Sequence, residues 1–446
     1  MTTLHGRLSD LAEESSRADA AEPDSGDLWS RGVRRHRRQQ LGSGVVVGVV
    51  VALIAGIVGL SWSRSDVDVQ PASEVGHLGL PDHFYFPPER LPSTEDTGPI
   101  GPLSALMSGL EEPVGISATG EYARLDLPRA SGAGDDPAMP VLSADGGRVA
   151  YWSTGRSSDE PVDAWPLAGV SVYDTVTGET VTYDVETAHG LNPNGMAWAG
   201  DNLWFQVWQY DAPRGDGSRG SRLQSTVVWN PGDDSSRTWD PRPEGLDYVS
   251  GVTAWDGALV DLGGQGALRL FRPEGSQVRA RISGRRSLVS EVHLDEAGAR
   301  VAALRDVDGQ NTTSDVPMPV LVGDLPDAGS SDPAPVSLRE VPGTSDSGVQ
   351  VLLGWRDDRH VVGYRYGEGV EPGYVSIDVD TGETEVLSVI VDANLPDLAQ
   401  GALAGPVFDA PRPPEPLDPR LVYGGIVLVL LVGCAALGWW RRRVRP

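Results

Sequence analysis

The chain has 446 residues, more than an average single domain, and its 63 acidic against 36 basic residues give a formal net charge of −27, which excludes nucleic acid as a partner. Its one cysteine, Cys434, lies in an apolar run, so an intramolecular disulfide and a cysteine-based zinc site are also excluded. All the basic residues are arginine, and 55 glycines and 35 prolines speak for many short strands joined by turns.

Residues 1–40 read as a polar, Arg-rich head. Leu4, Leu8 and Leu11 have helix-like spacing, Ala20–Gly26 has a disordered composition, and five arginines cluster between Arg31 and Arg38. Residues 44–62 follow, uncharged and rich in Val, Ile, Leu and Gly. Nineteen residues at about 1.5 Å each nearly match a hydrocarbon core of about 30 Å. A signal peptide would have a shorter apolar region and a small-x-small cleavage site, for which Ser61-Trp62-Ser63 is a poor match, so an uncleaved transmembrane helix is expected. Residues 63–97 read as a stalk, with His83–Pro88 read alternatively as an extended piece packed on the next domain.

From residue 98 to 391 the pattern is one of short hairpins. Val141–Thr154 and Val170–Asp184 each read as two strands around a tight turn, at Asp145-Gly146 and Thr177-Gly178, and four consecutive antiparallel strands make one β-propeller blade. Both halves recur. Leu142–Ala150 returns as Leu294–Ala302 after 152 residues, and Tyr173–Thr180 returns as Ile377–Thr384 after 204. Three and four repeats of about 51 residues account for both spacings, near the repeat length of propellers. Outer hairpins at Ile116–Tyr122, Tyr173–Thr180, Val228–Asp234, Leu270–Ser276, Val320–Pro326 and Ile377–Thr384 mark six blades. The expected fold is thus all-β, a six-bladed propeller flanked by two transmembrane helices. The count becomes seven if Pro81–Leu91 contributes strands and five if the first hairpin is only a closing strand. Arg214–Gly220 and Asp324–Pro335 read as inserted loops.

Residues 392–420 read as a Pro-rich linker, stiff and extended around Pro411–Pro416. A second span is expected at 421–440, with Tyr423 at one interface and Trp439 and Trp440 at the other, before the basic tail 441–446. Both spans carry their arginines on the outer flank. The positive-inside rule then places both termini in the cytoplasm and residues 63–420 outside the cell membrane. Between the spans stand 25 arginines and 56 acids, a net charge of −31.

Ser143, Asp145, Gly146, Arg148, Val149 and Ala150, followed by Tyr151 and Trp152, resemble the repeat of TolB-like and WD-type propellers. The layout of Arg-rich head, span, propeller and second span is similar to the membrane-anchored TolB-like propeller proteins of actinobacteria. That resemblance implies a propeller and a binding surface, with functions that vary among members.

The chemistry search yields no catalytic, cofactor-binding or metal residue to name. The sequence has no nucleophile-elbow, zinc-helix or phosphate-loop motif and no dinucleotide fingerprint opening a helix. Asp306–Gly309 and the Asp378/Asp380 pair read as hairpin turns rather than calcium loops. His77, His83, His189, His293 and His360 lie between the spans and could form an enzyme site only if separate blades gathered them at the channel. The tryptophans of blades three and four, Trp198 to Trp255, are expected to pack between blades rather than stack on sugars. The expected function is therefore a membrane-anchored binding, sensing or scaffold module at the envelope. Its partners are an envelope protein or glycan, and the alternative is a hydrolase or lactonase acting in the channel.

Overall fold

The computed structural model describes residues 78–413, except residues 89, 109–111, 131–138, 213–219, 285–287, 307–317, 327–334, 368 and 393, together with 433–435. The chain divides into two compact units, Gln70–Pro416 and a second made of Met1–Val69 with Leu417–Pro446. The first unit carries every strand among the described residues. The head, the span at 44–62, the Arg214–Gly220 loop apart from Gly220, and the span at 421–440 apart from 433–435 lie outside the described residues. So does most of Asp306–Gly309. No helix among the described residues is long and apolar enough to cross a membrane.

Six four- or five-stranded sheets form a six-bladed propeller. Blade 2 is the simplest, with Val141–Leu142, Arg148–Thr154, Leu167–Asp174 and Thr180–Asp184 following one another from the inside outwards. Blade 3 spans Leu191–Trp239, blade 4 Thr253–Ile282, blade 5 Leu288–Glu340 and blade 6 Val349–Val391. Each of the six marked hairpins falls at the end of a blade's third strand. The two repeated motifs lie three and four blades apart, as a common period requires.

The turns show why those motifs recur. Asp174 Oδ1 accepts the N–H groups of Val176 and Thr177 at 2.8 and 2.7 Å, and Gly178 takes φ +77°. Four blades on, Asp378 Oδ1 accepts from Asp380 and Thr381, both at 2.9 Å, before Gly382 at φ +78°. A carboxylate that folds back on its own backbone makes an Asx turn. In blade 2, Asp145 Oδ1 binds Ser143 Oγ at 2.6 Å and Gly147 N at 3.0 Å, with Gly146 at φ +67° against the Leu103 carbonyl.

Blade 1 departs from the sequence reading. Its second to fourth strands are Ala105–Met107, Val114–Ile116 and Tyr122–Arg124, but its innermost strand is Asp397–Leu398, paired antiparallel with Ala105–Met107. Part of the segment assigned to the linker therefore closes the ring. At the other end, His83–Tyr85 adds a parallel fifth strand to blade 6 on Thr384–Val391, and Leu80–Pro81 pairs with Val407–Phe408. Residues 78–97 thus pack on the propeller rather than forming a stalk, yet only His83–Tyr85 extends blade 6, Ser93 bridges Arg124 of blade 1, and no seventh blade is built. The insertion in blade 5 returns at Pro335–Val336 to cover the outer edge of blade 4.

Between blades, large apolar side chains interlock. Trp152, Trp204, Trp229, Phe205 and Tyr374 are fully buried. Trp152 meets Phe205 edge to face at 6.1 Å and donates its indole N–H to the Asn194 carbonyl at 3.0 Å, which ties blade 2 to blade 3. Trp198 donates to the Val141 carbonyl at 3.2 Å across the same seam. These tryptophans pack between blades, as the sequence reading has it. Trp165, by contrast, is 80% exposed in the loop joining the second and third strands of blade 2.

Replacing Gly146 with Ala forces a Cβ into the Leu103 carbonyl at a positive φ, so Gly146→Ala is expected to cost at least about 2 kcal/mol. Gly264→Ala meets nothing within 4 Å and should change stability by less than about 0.5 kcal/mol. Urea unfolding of the two variants checks both values.

Candidate functional site

The turns between first and second strands come together at one end of the channel. Ala144 of blade 2, Gly200 of blade 3, Ala254, Trp255, Asp256 and Gly257 of blade 4, Leu294 and Glu296 of blade 5, and Trp355, Arg356 and Asp357 of blade 6 line a funnel of about 390 Å³. Gln400, Gly401 and Ala404, which follow the innermost strand of blade 1, complete the wall. Five blades contribute turns. The volume lies in the range of small-molecule and side-chain pockets.

The last three residues belong to a segment that closes the channel below. Ala399 N–H donates to the Ser104 carbonyl at 2.9 Å, Gly401 N–H to the Ala144 carbonyl at 2.7 Å, and the Gln400 amide to the Ala254 carbonyl at 3.4 Å. Blades 1 and 4 are opposite in a ring of six, so Gln400 reaches across the axis. Ala399, Ala402 and Leu403 are buried beside it. A Cβ at Gly354 of blade 6 would lie 3.1 Å from Leu403 Cδ1, 3.7 Å from Gln400 Nε2 and 3.9 Å from His293 Nδ1, so these three groups crowd one point of the channel. Sequence reasoning missed this segment. The one signal was an apolar set, Leu398, Ala399, Ala402 and Leu403, inside an otherwise polar, Pro-rich tail.

Both tryptophans of the funnel are anchored by their indole N–H groups. Trp255 donates to the Glu296 carbonyl at 3.3 Å and Trp355 to the His293 carbonyl at 3.0 Å. The charged groups come from three blades. Asp256 Oδ2 accepts from Arg272 at 2.9 Å, and Arg356 is turned to Glu385 at 2.9 Å. Asp357 accepts from the N–H groups of Arg359 and His360 at 2.8 and 2.7 Å and from His360 Nδ1 at 2.9 Å. Burial acts to raise its pKa, but these bonds outweigh it and hold the carboxyl below its usual range.

The histidines are not gathered. His83 sits on the added strand of blade 6 beside Asp82 at 3.0 Å, and His189 binds the Glu160 carbonyl at 2.7 Å. His360 is part of the Asp357 turn, and His77 lies outside the described residues. Of the described histidines only His293 stands in the channel, on the innermost strand of blade 5. It is 6% exposed, and neither ring nitrogen has a hydrogen bond of good geometry. Desolvation lowers its pKa to about 4, with the nearby Leu352 carbonyl acting weakly the other way. Among the described residues no group of three or more His, Cys, Asp and Glu side chains is arranged to hold a metal ion. Asp397, at the start of the closing strand, keeps contact with water yet is walled by protein. Desolvation raises its pKa to about 6 against a hydrogen bond from the Leu142 N–H.

The sequence matches no protein-family model and no curated protein. Solved structures similar to the chain include TolB from Acinetobacter baumannii, at 14% identity over 68% of this chain and 70% of that chain, with a TM-score of 0.35. An oligogalacturonate lyase in complex with manganese shares 12% identity over 62% of this chain and 70% of that chain, with a TM-score of 0.35. The β-propeller domain of Myceliophteria thermophila Cps50 (Swd1) shares 11% over 65% and 89%, with a TM-score of 0.29. At these identities and TM-scores none of the likenesses bears on function, and the propeller rests on the six sheets themselves.

His293 makes a pH prediction with a fixed sign. Its folded pKa of about 4 lies below the ordinary 6.5, so the unfolded chain binds more protons and stability falls as pH drops from about 6.5 to 4. The full effect is about 3 kcal/mol. Asp397, with a folded pKa raised to about 6, contributes with the opposite sign over nearly the same window, so the wild-type profile alone is uninformative. His293→Phe removes one of the two contributions. Its melting temperature relative to wild type should rise steadily between pH 7 and pH 4.5, and a difference that stays flat would contradict the buried neutral imidazole.

Proposed function

We propose that this protein is a membrane-tethered, extracytoplasmic β-propeller that works as a binding, sensing or scaffold module, with the axial funnel as its recognition site. One observation carries the reading: turns from five blades and the segment that follows the innermost strand of blade 1 converge on one walled cleft, and that segment, which forms its floor, leads directly into the C-terminal region. The apolar stretches 44–62 and 421–440, with arginines on their outer flanks, support the tether. Tethering at both ends raises the effective concentration of a neighbouring envelope protein or glycan.

The second reading, a hydrolase or lactonase, draws on the charged groups of Asp256, Glu296, Arg356 and Asp357 at the mouth. Three of them are already held by neighbours. Asp357 is kept ionised, and His293 is neutral with a pKa far below 7, so neither is poised for general acid–base work near neutrality.

Site-specific photo-crosslinking on the full chain in membranes tests the binding reading. A crosslinker at Ala404 in the funnel should give a discrete adduct, and one at Ser236, on the outer edge of blade 3, should not. Adducts from Ser236 alone would move the recognition surface to the blade edge. Reporter fusions test the tether. A reporter active only outside the cell should be silent at either terminus and active when inserted after residue 413.

A further inference from the structure

Within that reading, the funnel also shows what kind of group it takes. Its donors and acceptors are unequally committed. The indole N–H groups of Trp255 and Trp355, the Gln400 amide and the Arg356 guanidinium all have partners inside the protein. The Arg356 guanidinium and the Gln400 amide keep further N–H groups, but the uncompensated charge is on acceptors. The Glu296 carboxylate has no hydrogen bond or ion pair among the described residues, and Asp256 accepts Arg272 through Oδ2 only. The Gln400 side-chain oxygen is not used by its amide's bond to Ala254. Below them His293, deeply buried, keeps a neutral ring with an unprotonated nitrogen and no hydrogen bond of good geometry. Its Nδ1 and the Gln400 Nε2 come to the same point beside Gly354.

Charge runs the same way. Three carboxylates and one guanidinium line the funnel, and that guanidinium is turned outwards to Glu385. Carboxylates gathered at one mouth attract an entering counter-charge. The two tryptophans supply apolar walls for the stem of such a group and ring faces that attract cations. Small residues keep the mouth open, since Ala144, Gly200, Gly257, Gly401 and Ala404 place no long side chain over it.

We infer that the funnel binds a cationic N–H donor, a guanidinium or ammonium group, whose hydrogens are shared among Glu296, Asp256 and Gln400. An arginine or lysine side chain on a peptide and a free small amine offer the same chemistry, and three probes separate them.

Binding is measured by calorimetry on the full-length protein in detergent, with blocked tri-arginine, blocked tri-citrulline as its neutral isostere, and agmatine. Tri-arginine should bind at least tenfold more tightly than tri-citrulline. The double variant Asp256→Asn, Glu296→Gln should lose at least tenfold of that affinity. Both side chains are exposed and the changes isosteric, so the fold is kept. Asp159→Asn with Glu186→Gln removes the same charge from exposed positions of blade 2 outside the funnel and should bind as wild type does. Agmatine equal to tri-arginine identifies a small amine as the source, and weaker agmatine identifies a peptide. Equal binding of tri-citrulline and tri-arginine, or equal loss in both double variants, overturns the inference. Should Ala404 crosslink a partner while tri-arginine fails to bind, the cation inference falls and the binding reading stands. Should the funnel give no adduct, the binding reading itself falls.

Discussion

The pairing of Asp397–Leu398 with Ala105–Met107 is the constraint on which the rest of the molecule depends. A ring of blades is only as closed as its last seam, and without this pair blade 1 is left with three strands of three residues each. Two ladder residues are too few to hold a seam alone. The surrounding contacts make up the difference. The Tyr374 hydroxyl donates to the Pro396 carbonyl at 2.7 Å, Ser104 Oγ donates to the Gly79 carbonyl, and Asp82 Oδ1 accepts the Ala410 N–H at 2.8 Å. The Tyr122 hydroxyl accepts the Tyr85 N–H at 2.8 Å, joining blade 1 to the strand added to blade 6. Both ends of the propeller are thereby laced into one seam.

Closure of the ring and the floor of the funnel are built from the same few residues. The chain rises through the channel as Asp397–Leu398, turns across it at Gln400–Ala402 and leaves beside the N-terminal strand at Val407–Phe408. Its middle portion is the floor of the funnel. A ligand seated there touches the segment that fixes the seam, so occupancy and ring stability are coupled through contacts rather than through a distant relay.

Much of the fold was legible in the sequence because turn chemistry is local. Asp174 and Gly178, or Asp378 and Gly382, state their conformation within five residues, and the same statement in two places gives the blade period. The interblade role of the tryptophans was legible for a similar reason, since aromatic side chains in short strands have few other places to go. The closing strand was not legible. Asp397–Leu398 has no periodicity to read, sits among prolines, and pairs with residues nearly three hundred positions away. His83–Tyr85 carried some signal in its aromatic residues, but only the partner strand shows that it widens blade 6. The funnel was hidden in a different way: Ala144, Gly200, Gly257 and Gly401 look like ordinary turn residues, and only the ring brings them together.

The claim that the C-terminal segment closes the ring can be tested by covalent capture. Residues directly opposite in an antiparallel pair have Cα atoms about 4.5–5.5 Å apart, within disulfide range. Leu106 and Asp397 are such a pair. In the full chain carrying Cys434→Ser, the double substitution Leu106→Cys, Asp397→Cys should form an intramolecular disulfide under mild oxidation, read as a faster-migrating non-reduced band and a mass loss of about 2 Da. A chain that keeps both thiols free in the folded state and links them only after denaturation would contradict the account.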